Sequence, residues 1–110
     1  MPRDHLLYID DILESILHIR EYTSGMNYQE FSSDRKTIDA VLRNLEVIGE
    51  AAKNIPIDIQ SENQGIEWKK ITGLRNILIH QYFGVNTMII WDIIQNKLSQ
   101  LEVVCNKLLT

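Results

Sequence analysis

The segment Arg75-Asn76-Ile77-Leu78-Ile79-His80-Gln81-Tyr82 sets an arginine, an asparagine, a histidine and a tyrosine around three aliphatic residues. A helix built only to pack needs none of these four groups, because a buried polar side chain costs free energy unless it is hydrogen-bonded. At about 100° per residue, Arg75 and Tyr82 project to nearly the same side, His80 lies about 140° round from Arg75, and Asn76 falls between them. Ile71, Leu74, Ile77 and Leu78 take most of the opposite arc, so one side of the helix is free to pack and the other presents polar groups. Asn76 and His80 are spaced i to i+4, which lets the amide hold one imidazole nitrogen while the other handles a proton. Histidine moves protons near neutral pH, and arginine grips a phosphate through paired hydrogen bonds and stabilises charge developing on it. Cleavage of RNA needs little more. The ribose 2′-hydroxyl is an internal nucleophile beside its own phosphodiester, so a base, an acid and a cation suffice without a metal. DNA lacks that hydroxyl and should be spared.

Competing chemistries find less support. His5, His18 and His80 do not form a zinc-binding spacing, and the neighbouring carboxylates Asp10 and Asp11 point apart on a helix. There is no glycine-rich phosphate loop and no nucleophile elbow. His5 and His18 read as solvated helix-surface residues without a suggestive partner at helical spacing, and Trp68 and Trp91 as core or interface anchors. The single cysteine, Cys105, falls on an apolar stripe, where it packs as a small hydrophobe and has no internal disulfide partner.

The elements that must carry the cluster follow from apolar spacing. Leu6, Ile9, Leu13, Ile16 and Leu17 predict a helix from Asp4 to about Thr23, stopped at Gly25. Tyr28–Phe31 forms one turn, and Ser33 or Asp34 caps a long helix with Ile38, Leu42, Leu45, Ile48 and Ala52 inward, ending near Asn54 before Pro56. Gly49 inside that helix costs about 1 kcal/mol against alanine, which implies a close contact with another helix or another subunit. Residues 58–65 read as polar and irregular. A third helix opens at Trp68 and runs through Ile71, Leu74 and Leu78 to about His80 or Tyr82, closing at Gly84. Asn86 caps a fourth, with the stripe Ile90, Ile94, Leu98, Leu101, Cys105 and Leu108. No segment alternates at period two for long enough to make a strand. The arithmetic predicts one all-α domain over residues 1–110, an up-and-down four-helix bundle with short extra turns.

At 110 residues with 45% apolar and 24% charged side chains, the chain can bury a core without disulfide or metal staples. Charges interrupt the first 25 residues, and no segment is long and apolar enough to span a bilayer, so a cytoplasmic protein is expected. A net charge of −4 excludes a surface that binds nucleic acid all over. From Glu67 to Gly84, however, one carboxylate faces Lys69, Lys70 and Arg75, so the two lysines become RNA-binding candidates beside the polar cluster.

Over almost its entire length the sequence resembles the HepT-like proteins, minimal members of the HEPN superfamily marked by Arg-x4-His-x-Tyr, here Arg75, His80 and Tyr82. Matching blocks are DAVLRNLEVIGEAAKNIP at 39–56, EWKKITGLRN at 67–76 and HQYFGVNTMIIWDII at 80–94. Leu74 stands where methionine or alanine commonly precedes the arginine, and Asn86-Thr87 where Asp-Leu is usual. The resemblance implies a metal-independent endoribonuclease that needs no cofactor and acts as the toxin of a toxin–antitoxin pair on tRNA or mRNA. It also implies a homodimer whose two motif helices line one cleft, with an MntA-like minimal nucleotidyltransferase as antitoxin, transferring AMP to Tyr82. Two-fold symmetry would supply a second Arg75 and His80, and so both an acid and a base. In this reading His80 is the general acid/base, Arg75 binds the scissile phosphate, Asn76 orients His80 and Tyr82 accepts the modification. The rival is a non-catalytic helical module that binds a nucleotide or docks a nucleotidyltransferase through the same polar arc.

Overall fold

Asp4 starts the first helix by accepting a hydrogen bond from the Leu6 N–H at 3.0 Å, and α1 then runs His5–Thr23. The computed structural model of the chain describes residues 4–74 and 86–109. After α1 the chain turns at Gly25, whose φ of +77° lies in the left-handed region that favours glycine. Ile9, Ile12, Ile16 and Ile19 are wholly buried, whereas Leu6 and Leu17 are exposed and Leu13 is only partly buried. The expected inward stripe is therefore corrected. Leu17 stands about 100° round from Ile16, so the two cannot both face α3, and the isoleucine stripe takes the interior.

Asn27 and Glu30 close a reciprocal capping box, each side chain accepting from the other's backbone N–H at 2.8 and 3.0 Å, and α2 (Tyr28–Ser33) buries Phe31. Asp34 then caps α3 (Arg35–Lys53), accepting from the Thr37 N–H at 3.1 Å and its hydroxyl at 2.7 Å. Those bonds favour the charged form and hold the Asp34 carboxyl below its usual 3.8. Ile38, Val41, Leu45, Ile48 and Ala52 form the inward face of α3. Gly49 is buried too, so the chain itself closes over it.

Residues expected to be irregular form α4 (Ile57–Glu62). Pro56 presets its entry, and the Gln60 amide donates to the carbonyls of Ile55 at 3.0 Å and Ala52 at 3.3 Å, holding the turn against the end of α3. The segment α5 (Trp68–Thr72) closes at Gly73 rather than running on unbroken. A Cβ there would lie 3.0 Å from the Lys69 carbonyl, so glycine fits this closure without a shift of the neighbouring backbone. The remainder of the expected third helix lies outside the described residues.

Asn86 accepts from the Met88 N–H at 2.9 Å and opens α6 (Thr87–Asp92). A π turn over Ile93–Lys97 follows, in which the Leu98 N–H reaches the Ile93 carbonyl, and α7 (Leu98–Leu109) completes the chain. Ile90, Ile94, Leu98, Leu101 and Cys105 all point inward. The first three are spaced by four, which on an ideal α-helix drifts about 40° per step. A wider π turn absorbs that drift and keeps the stripe on the core.

Every described element is helical. Helix α1 packs along α3 and against α7, α5 packs on α3, and α2 bridges α3 and α6, around one buried cluster. Arg20 ties α1 to α7, donating to the Glu102 carboxylate and, at 3.2 Å, to the Ser99 hydroxyl. Cys105 is wholly buried and desolvation pushes its thiol up to about 12, so it packs as a hydrophobe, as its place in the stripe predicts.

Candidate functional site

Arg75, Asn76, His80 and Tyr82 lie outside the described residues, as do the neighbouring Ile77 and Leu78. The two segments that flank them are well anchored. On the entry side, Trp68 is buried and its indole N–H donates to the Asn63 carbonyl at 3.1 Å, while Ile71 and Leu74 turn toward α3. On the exit side, Asn86 caps α6, the Thr87 and Tyr28 hydroxyls share a hydrogen bond of 2.9 Å, and Trp91 packs on Phe31 with ring centroids 5.1 Å apart. Both tryptophans thus serve as the anchors their size predicts.

The two flanks meet in one groove. Ile71 and Leu74 from the entry side, Ile89 and Ile93 from the exit side, and Ile48 from α3 enclose a cavity of about 400 Å³. Its floor is apolar, and Glu67, Lys70, Asp92 and Lys97 stand around it. Of the two lysines marked as RNA-binding candidates, Lys70 pairs with Glu67 at 2.7 Å, and both side chains are largely in solvent. The pairing holds the Glu67 carboxyl below, and the Lys70 ammonium above, their usual ranges. Such exposed pairs contribute little to stability and exchange readily for another anion. Lys69 is exposed and has no carboxylate within ion-pair distance among the described residues.

A second groove, of about 270 Å³, lies between α1 and α3 and is lined by Tyr8, Asp11, Arg43, Glu46 and Glu50 among others. Within it Arg43 lies 3.7 Å from Glu46, an ion pair one turn apart on α3. The sequence reading did not find this groove, since its residues come from two helices and carry no motif. It also missed Lys97, which borders the same groove as Glu67 from the π turn. His18, read as partnerless, in fact lies between Glu14, at 3.9 Å, and Tyr22, whose ring it stacks on; both are one turn away on an exposed face.

No group of three potential metal ligands occurs among the described residues, and no helix there is long and apolar enough to cross a membrane.

Comparison with known proteins gives a consistent result. The family described as "Ribonuclease HepT-like" matches residues 12–108. A protein of Methanocaldococcus jannaschii named "Putative RNase MJ0127" is 48% identical over 98 residues, covering 88% of this chain and 81% of its own. "Probable ribonuclease HepT" of Thermococcus cleftensis is 40% identical, covering 93% of both chains. "Putative RNase TTE0752" of Caldanaerobacter subterraneus is 39% identical, covering 86% of this chain and 85% of its own. No solved structure matches.

Proposed function

Because the chain belongs to the HepT-like ribonuclease family, we propose that it is a metal-independent endoribonuclease, the cytoplasmic toxin of a toxin–antitoxin pair. The observation that carries this reading is the family match over residues 12–108, which spans the whole of Arg75–Tyr82. Two copies of the chain place their motif segments across a two-fold axis, so that one His80 removes the 2′-hydroxyl proton and the other protonates the leaving oxygen. The 2′-oxygen attacks the adjacent phosphorus, the bond to the 5′-oxygen breaks, and a cyclic phosphate and a 5′-hydroxyl result. Arg75 binds the phosphate and offsets the charge that builds on it, and Asn76 holds the imidazole in register. Lys69 and Lys70 extend the contact to neighbouring phosphates.

The antitoxin is an MntA-like minimal nucleotidyltransferase. The Tyr82 oxygen attacks the α-phosphorus of a nucleoside triphosphate, pyrophosphate leaves, and the phenolic proton is lost to solvent. The attached nucleotide sets a negative phosphodiester and a bulky base beside Arg75, which offsets the guanidinium and obstructs the RNA path. Expression of the chain alone is expected to arrest growth, and His80→Ala to abolish the arrest while leaving the helical content unchanged. Co-expression with the nucleotidyltransferase should add one or more AMP units to Tyr82, read by peptide mass. Arrest that persists in His80→Ala, or a modification elsewhere, would remove those assignments.

A further inference from the structure

The π turn puts two kinds of side chain on one face. Ile93 and Lys97, four residues apart, both border the apolar groove, so the same turn supplies part of its floor and part of its rim. Across the groove stands α5 with Glu67 and Lys70, and the Lys97 ammonium acts electrostatically on the Glu67 carboxylate. Glu67 is already engaged by Lys70 at 2.7 Å, and Asp92 accepts from the Asn96 amide at 2.6 Å. Lys97 itself is exposed and has no carboxylate within ion-pair distance among the described residues. With Lys69 on the exposed side of α5, three lysines stand against the carboxylates of Glu67 and Asp92 among the described residues around the groove. The charge on α1 has the opposite sign, with Asp10, Asp11, Glu14 and Glu21 against Arg20. Of these two sides, the α5 and π-turn side repels an approaching polyanion less.

Resting on the ribonuclease reading above, we infer that Lys97 is an RNA-backbone contact, working with Lys70 across the groove, and that Glu67 tempers their hold on phosphate. A phosphate reaching the rim displaces Glu67 from Lys70, an exchange made easy by the solvent exposure of that pair. The two flanking helices then grip the RNA on either side of the motif that lies between them in the chain.

The probe is a single-stranded oligoribonucleotide with 2′-O-methyl groups, which the proposed chemistry does not cut, bound to the full chain across a salt series. Lys97→Gln should weaken binding several-fold and reduce the slope of log K against log salt by about 0.7, the loss of one phosphate contact. Glu67→Gln should strengthen binding, and Lys36→Gln, at the far end of α3, should leave the slope unchanged. Sedimentation of each variant checks the assembly. A wild type that binds no RNA removes the ribonuclease reading and this inference together. A wild type that binds, with an unchanged slope in Lys97→Gln, overturns this inference alone. So does a Lys97→Gln variant whose only change is a smaller protein mass, which would make the groove a contact between protein chains.

Discussion

Helices α1 and α3 meet through Ile9, Ile12, Ile16, Leu45 and Ile48, all with no exposed surface, whereas the α5 and π-turn side leaves Ile71 and Ile93 half-covered and Ile89 57% exposed around an open groove. The first region has regular helices, capped at Asp4 and Asp34. The second has a helix closed after five residues and another widened by a π turn. The difference separates two jobs. The α1/α3 side packs its apolar side chains fully out of water, and the other side keeps its apolar surface partly open and its lysines in solvent, where a ligand can reach them. Charge divides in the same way, acidic along α1 and nearer to balanced around the groove.

If that division holds, truncations of similar chemistry should have very different costs. Ile16→Ala is expected to lower stability by about 2–5 kcal/mol, because it opens a cavity in a fully packed interface. Ile89→Ala should stay within about 0.5 kcal/mol, since most of that side chain is already in water. Urea denaturation of both variants measures the contrast; equal costs would erase it. Asn86→Ala removes the cap of α6 and should cost about 1 kcal/mol in the same assay. The loss falls on the helix that leaves the motif, so it should appear as faster amide exchange in α6 with α1 still protected.

The smallest effect concerns pH. The Asp34 carboxyl is held below its unfolded value, so its contribution to stability is present above about pH 4 and is lost as the pH falls through the folded value. Asp34→Asn should flatten the acid limb of the stability profile without changing its shape near neutrality. A limb of unchanged steepness would show that the Thr37 bonds do not favour the carboxylate.

Much of this architecture was legible in the sequence because it is local. Asp34 and Asn86 announce helix starts through side-chain chemistry that acts within three residues, whereas the capping box of Asn27 and Glu30, equally local, was passed over. The identity of the inward stripe on α1 was not legible, because leucines and isoleucines offer two apolar phases and only the position of α3 selects between them. Helix α4 was missed because Gln60 holds it through the carbonyls of Ala52 and Ile55, in the last turn of the preceding helix and just past its end. The π turn left a trace in the four-residue spacing of Ile90, Ile94 and Leu98, but an average helical period hides it. Residue type and spacing put forward Arg75, Asn76, His80 and Tyr82 as candidates, which lie outside the described residues, while the pairing of Lys70 with Glu67 and the place of Lys97 on the same groove, some 30 residues on in the chain, depend on tertiary placement.

The most direct test of the account is incubation of the purified chain with total RNA in EDTA, beside the folded His80→Ala variant. Discrete fragments ending in cyclic phosphate from the wild type, and intact RNA from the variant, are the expected result. Intact RNA from both across salt and pH, or equal cleavage by both, would contradict it.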